Sequence, residues 1–150
     1  MDSFVLARVT LGMALGAAFG VGAYTFVYAK GGSYLTDRPE ACANCHVMQE
    51  YYNAWIKSSH RAVAVCNDCH TPGGLLAKYW TKAWNGYHHS YAFTTGGFPD
   101  VLQIKPQNRE IVESACQRCH QTIIGAIEGP QRDSSSLSCV RCHASVGHFQ

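Results

Sequence analysis

The sequence predicts a mainly α-helical chain with long loops: one N-terminal transmembrane helix over residues 1–30, then a small domain over residues 31–150. Three observations predict it. Val9 to Ala29 runs for 21 residues without a charge. The remainder repeats one five-residue pattern four times. Between the repeats, apolar residues recur at helical intervals rather than in strict alternation. With the apolar end set aside, about 120 residues remain, and a chain that short buries little core of its own.

The first element follows from length. At about 1.5 Å per residue the uncharged run makes roughly 31 Å of helix, enough to cross a bilayer. Arg8 precedes it, Lys30 follows it, and Tyr24 and Tyr28 stand where an interfacial aromatic belt would lie. Val27-Tyr28-Ala29 would also serve as a signal-peptidase site. The apolar run exceeds the roughly 7–15 residues of a signal peptide, however, and the basic segment before it is thin, so a retained anchor is favoured. Gly12, Gly16 and Gly20 form a stripe that either admits a second helix or reflects the abundance of glycine in membrane helices. Gly31-Gly32 makes a short hinge.

The repeats are Cys42-Ala43-Asn44-Cys45-His46, Cys66-Asn67-Asp68-Cys69-His70, Cys116-Gln117-Arg118-Cys119-His120 and Cys139-Val140-Arg141-Cys142-His143. Each reads C-x-x-C-H, the attachment signature of c-type haem. Two thiols add across the vinyl groups of one porphyrin, and the next residue can offer its imidazole to the iron. The repeats use all 8 cysteines, leaving none for disulfides. Zinc knuckles also pair cysteines, but zinc does not demand a histidine after every second one. With 8 histidines in 150 residues, four such coincidences have a chance on the order of 10⁻⁵. Four covalent haems, about one per 30 residues, therefore build the interior. The fold class is a small tetrahaem cytochrome c domain with a haem-built core behind one membrane helix. Haem attachment outside the cytoplasm puts that domain on the periplasmic side of the inner membrane. The formal charge of +2 becomes roughly −6 once about eight propionates are counted, which excludes nucleic acid as a partner.

The remaining elements follow in order. Residues 47–60 read as a helix, with Met48, Tyr51, Trp55 and Ile56 at helical intervals and His60 at the end. Thr71-Pro72-Gly73-Gly74 breaks the chain. A second helix runs from Leu75 to about Phe93, with Lys78, Lys82 and His89 along one side. Residues 94–109, with two glycines and two prolines, read as an irregular excursion. Glu110 to His120 forms a helix carrying the third motif, and Arg132 to Ser138 is loop-like. Motif starts lie 24, 50 and 23 residues apart, a weak hint of two haem pairs.

Four six-coordinate haems need eight axial ligands. His46, His70, His120 and His143 come from the motifs, and His60, His88, His89 and His148 complete the number. Bis-histidine ligation throughout would use both His88 and His89, whose side chains diverge by about 100° on a helix. Met48 competes as a thioether ligand, or packs between rings.

Four C-x-x-C-H motifs behind one anchor, Cys-His-Val-Met at the first, and Lys-Ala-x-x-Gly-x-x-His-Ser-x-Ala-Phe-Thr after the second resemble the NapC/NirT family of quinol-oxidising cytochromes. The likeness is greatest to its short members, the small subunits of cytochrome c nitrite reductase. That resemblance implies a quinol dehydrogenase subunit. It would oxidise membrane quinol, menaquinol being the expected donor, and pass electrons to a periplasmic pentahaem nitrite reductase catalytic subunit in respiratory nitrite ammonification. It also implies Met48 in place of His46 as the motif-side ligand of the first haem. Lys82 would stand opposite His70 on the second, His148 opposite His120 on the third, and His60 opposite His143 on the fourth. Lys82 and His89 would flank the quinol site. Some relatives carry aspartate where this chain has His89, so whether His89 binds the first iron or accepts a quinol proton stays open. The alternative functions are a multihaem reductase acting itself on a small nitrogen oxyanion, and a zinc-stapled membrane adaptor. No arginine-rich pocket supports the first of these.

Overall fold

The computed structural model describes residues 2–128 and 138–148. The chain divides into two compact units, Met1–Ser33 and Tyr34–Gln150.

The first unit is dominated by α1, Ser3–Tyr28, long and apolar enough to cross a membrane. It begins six residues before the uncharged run and includes Arg8. Backbone hydrogen bonding carries a helix past the edge of its apolar stretch, and nothing between Ser3 and Arg8 breaks it. Thr10 lends its hydroxyl to the Leu6 and Ala7 carbonyls, both at 3.0 Å, instead of exposing it unpaired. Lys30, with φ of 51°, turns the chain out of the helix.

The second unit is a set of short helices around four cysteine pairs. Its helices are α2 Pro39–Cys42, α3 Gln49–Ile56, α4 Cys66–His70, α5 Leu75–Thr95, α6 Pro106–Cys119, α7 Gln121–Glu128 and α8 Cys139–Cys142. The helix expected over 47–60 is shorter and divided. A 3-10 turn over His46–Met48 leads into α3, which stops at Ile56, and a second 3-10 turn covers Ser59–Ala62. The indole of Trp55 donates to the Ala64 carbonyl at 3.1 Å and folds this segment back on itself. Helix α5 matches its expected span closely. Gly74, at φ of 89°, precedes it and Gly96, at φ of 69°, ends it, both conformations that favour glycine.

The expected excursion over 94–109 ends early, because α6 starts at Pro106 rather than Glu110. Proline breaks a helix interior but suits its first position, where no hydrogen bond to its nitrogen is needed. Helix α7 follows directly and was not anticipated. Of the loop expected over Arg132 to Ser138, residues 132–137 lie outside the described residues.

Helix α4 packs against α2 and α6, and α6 in turn against α8. Among the described residues no large side chain is fully buried; Ala115 is the buried apolar residue of α6.

Candidate haem row and quinol site

The cysteine pairs stand in a row in chain order. Cys42 ends α2, Cys66 and Cys69 lie in α4, Cys116 and Cys119 close α6, and Cys139 and Cys142 bound α8. Their thiols are neighbours along the same sequence. Cys42 and Cys66 share a hydrogen bond, which lowers Cys42 and raises Cys66. Burial raises Cys69, with Asp68 and then Cys119 adding to it, and burial raises Cys139, with Glu113 and then Cys116 adding to it.

Polar residues within or beside the motifs tie each pair to the next. Asn67, inside the second motif, donates its amide to the Thr36 carbonyl at 3.3 Å and to Asp37 Oδ1 at 2.7 Å, just ahead of the first motif. Arg118, inside the third, donates to the Asp68 carbonyl of the second at 2.9 Å. Glu113, three residues before the third motif, accepts from Ser138 Oγ at 2.6 Å and from the Cys139 amide at 2.7 Å at the start of the fourth. Burial raises the Glu113 carboxyl, but these hydrogen bonds outweigh that cost and leave its pKa lowered. Asp68 caps its own motif, accepting from the Val65 amide at 2.8 Å.

These residues fit covalent haem. Cysteines three apart on a helical turn project to one side, as two thioether links to one porphyrin require. None of the eight is paired in a disulfide. Among the described residues, no three His, Cys, Asp or Glu side chains converge on a point that could hold a lone metal ion. The lack of a large, fully buried side chain among the described residues suits a domain whose core is made by prosthetic groups.

The expected ligands are placed unevenly. Met48 is half-buried at the end of its 3-10 turn, whereas His46 is exposed. The His60 ring lies 6.1 Å from His120, and His148 stacks on His70 at 6.0 Å with Tyr51 edge-on at 5.1 Å. Those neighbours differ from the cross-haem partners that the resemblance implies for His60 and His148. His143 is exposed beside α8. His88 and His89 diverge as their spacing requires. His88 packs edge-on to Trp84 at 4.6 Å, while His89 Nδ1 and the Tyr34 hydroxyl are hydrogen-bonded at 3.0 Å.

Lys82 is buried on the inner side of α5. Its ammonium donates to the Thr36 carbonyl and to Asp37 Oδ1, both at 2.8 Å, and Lys78 pairs with the other oxygen of Asp37. Hydrogen bonds from Lys78 and then Lys82 hold the Asp37 carboxyl far below the usual carboxylate range. Binding iron would require Lys82 to give up these partners. Lys82 therefore reaches the segment just ahead of the first motif. Lys78, Lys82 and His89 share the face of α5 directed at residues 34–37. The opposite face is aromatic, with Trp80 on Trp84 and Tyr87 on Tyr91.

The family model of the NapC/NirT cytochrome c family, N-terminal region, matches residues 5–150. The chain belongs to that family. It is 36% identical over 141 residues to cytochrome c-type protein NrfH of Wolinella succinogenes, covering 87% of this chain and 80% of that one. It is 33% identical over 135 residues to cytochrome c nitrite reductase subunit NrfH of Nitratidesulfovibrio vulgaris, covering 90% and 81%. A crystal structure of the cytochrome c nitrite reductase NrfHA complex bound to the inhibitor HQNO holds a chain that superposes with a TM-score of 0.66. The two are 32% identical, with 94% of this chain and 90% of that one covered. The chain is thus a membrane-anchored c-type cytochrome, and Ser3–Tyr28 is the helix available as its anchor.

Sequence reasoning missed Tyr34, Asp37, Asn67, Glu113 and Arg118. Asn67 and Arg118 occupy the variable positions of their motifs, and a charged or amide residue there is the signal that could have marked them. The others carry no local signal.

Proposed function

We propose that this chain oxidises membrane quinol and relays the electrons through four haems to the catalytic subunit of a periplasmic cytochrome c nitrite reductase. It stands as the quinol dehydrogenase subunit of that complex, with its haem domain on the periplasmic side. The observation that carries this reading is the row of four motifs in chain order. One end of that row, beside the first motif, is where α5 presents Lys82 and His89. Only 13 residues separate Tyr28, the last of α1, from Cys42, the first of the row.

The eight cysteines would attach the haems, which accept electrons one at a time when bound. Met48 would hold the first iron, His70 and Lys82 the second, His120 and His148 the third, and His143 and His60 the fourth. Quinol gives up two electrons and two protons as it becomes quinone, so the protein must take protons where it takes electrons. His89, with an imidazole that titrates near ~6.5 before perturbation, suits that task. Loss of hydration lowers its pKa first, with Lys105 and His88 adding to the effect, which favours the neutral ring that can accept a proton. Because the residue stays exposed, solvent screening keeps that effect small. Asp37, ionised and fixed by two lysines, compensates the positive charge beside the site.

Reduction of the purified haem protein by a quinol analogue tests this reading. The expected result is rapid reduction, slowed by His89→Ala, with no turnover of nitrite by the isolated chain. Nitrite turnover by this chain alone would favour a terminal reductase instead.

A further inference from the structure

Tyr34 and His89 are 55 residues apart, yet their side chains are hydrogen-bonded at 3.0 Å. The rings meet at 44° with centroids 6.3 Å apart. Gly86 makes this approach feasible. A Cβ at that position would stand 3.3 Å from two Tyr34 ring carbons, tighter than ordinary packing allows. Lys82, Gly86 and His89 fall at i, i+4 and i+7 and so form one stripe of α5. Residues 34–37 lie along that stripe. Thr36 and Asp37 engage Lys82 at one end, and Tyr34 engages His89 at the other.

A neutral imidazole has one donor and one acceptor nitrogen, and a hydrogen bond to the first nitrogen decides what the second offers. Here Nδ1 is committed, so Nε2 is the nitrogen left for another molecule. We propose that Tyr34 is a positioning residue of the quinol site, holding the His89 ring so that Nε2 faces the quinol hydroxyl as an acceptor. This inference rests on the assignment of His89 to quinol oxidation. In the productive tautomer Nδ1–H donates to the Tyr34 oxygen, and the quinol O–H donates to Nε2. The phenol serves because it stays neutral; burial pushes it up to about 12. The glycine of the Lys-Ala-x-x-Gly-x-x-His stretch thereby gains a role, as the gap that seats the tyrosine ring.

The test is a double-mutant cycle on the full-length haem protein. Tyr34→Phe should slow reduction by a quinol analogue about tenfold, the scale of one lost hydrogen bond. In the His89→Ala background the same change should alter the rate by less than about twofold, since its target is gone. HQNO binding, read from the haem absorbance, should weaken with Tyr34→Phe, while dithionite reduction and the four haem attachments stay as in the parent. Gly86→Ala, which keeps the hydroxyl but displaces the ring, should reproduce the loss and gives a second route if Tyr34→Phe assembles poorly. Parent rates in both Tyr34→Phe and Gly86→Ala would overturn the positioning role, as would an undiminished Tyr34→Phe effect in the His89→Ala background. A His89→Ala protein reduced as fast as the parent would overturn the assignment of His89 itself.

Discussion

Glu113→Ala should loosen the fourth motif from the third. In the structure the carboxylate takes one hydrogen bond from Ser138 at 2.6 Å and one from the Cys139 amide at 2.7 Å; the Val140 amide, at 3.4 Å, is too distant to add much. Hydrogen bonds to a charged group contribute roughly 1.5–3 kcal/mol each when well buried. Glu113 is only half-buried, so about 1 kcal/mol apiece is appropriate, or about 2 kcal/mol for the variant. For a chain of this length that lowers Tm by about 4–8 °C. Glu113→Gln retains one neutral acceptor and should lose about half as much. Thermal unfolding of the haem protein followed by far-UV circular dichroism measures the shift, and hydrogen exchange at the Cys139 and Val140 amides localises it. A Glu113→Ala protein within about 0.5 kcal/mol of the parent, with those amides equally protected, would refute the clamp.

The same carboxyl predicts a pH dependence. Its folded pKa lies below the unfolded value of about 4.3, so its contribution is complete above that pH and is lost as pH falls through the folded value. The parent should therefore lose more Tm than Glu113→Gln between about pH 5 and 3; parallel losses would count against it. At the first haem, Met48→Ala should perturb one low-spin signal in the electron paramagnetic resonance spectrum, while His46→Ala should leave that iron's ligation nearly intact. Loss of the signal in His46→Ala alone would restore ordinary histidine ligation there. The protein should fractionate with membranes, and N-terminal sequencing should begin before residue 9; a mature chain starting near Lys30 would remove the anchor.

The motifs were legible because haem attachment is local chemistry, confined to five consecutive residues. Helix α5 was legible for a similar reason, since Thr71-Pro72-Gly73-Gly74 stops the chain before it and Gly96 after it. Pro106 misled because a proline carries opposite meanings at the first turn of a helix and inside one, and only the tertiary context distinguishes them. The divergence of His88 and His89 was foreseeable from helix geometry alone, but not which of them meets residues 34–37. That choice depends on Tyr34, 55 residues away. Asp37 likewise meets Lys82 across 45 residues, and neither a period nor a motif connects them. Helix spacing put Lys82 and His89 on one side of α5, the resemblance implied their role, and in the structure both meet residues 34–37.

The transfer of electrons from quinol to a partner is tested most directly in proteoliposomes that contain menaquinol, this chain and the purified nitrite reductase catalytic subunit. Nitrite consumption should proceed with both proteins present, stop when either is omitted, and slow when His89→Ala replaces the parent. Nitrite consumption at the full rate without this chain, or none with both proteins present and every haem reducible by dithionite, would contradict it.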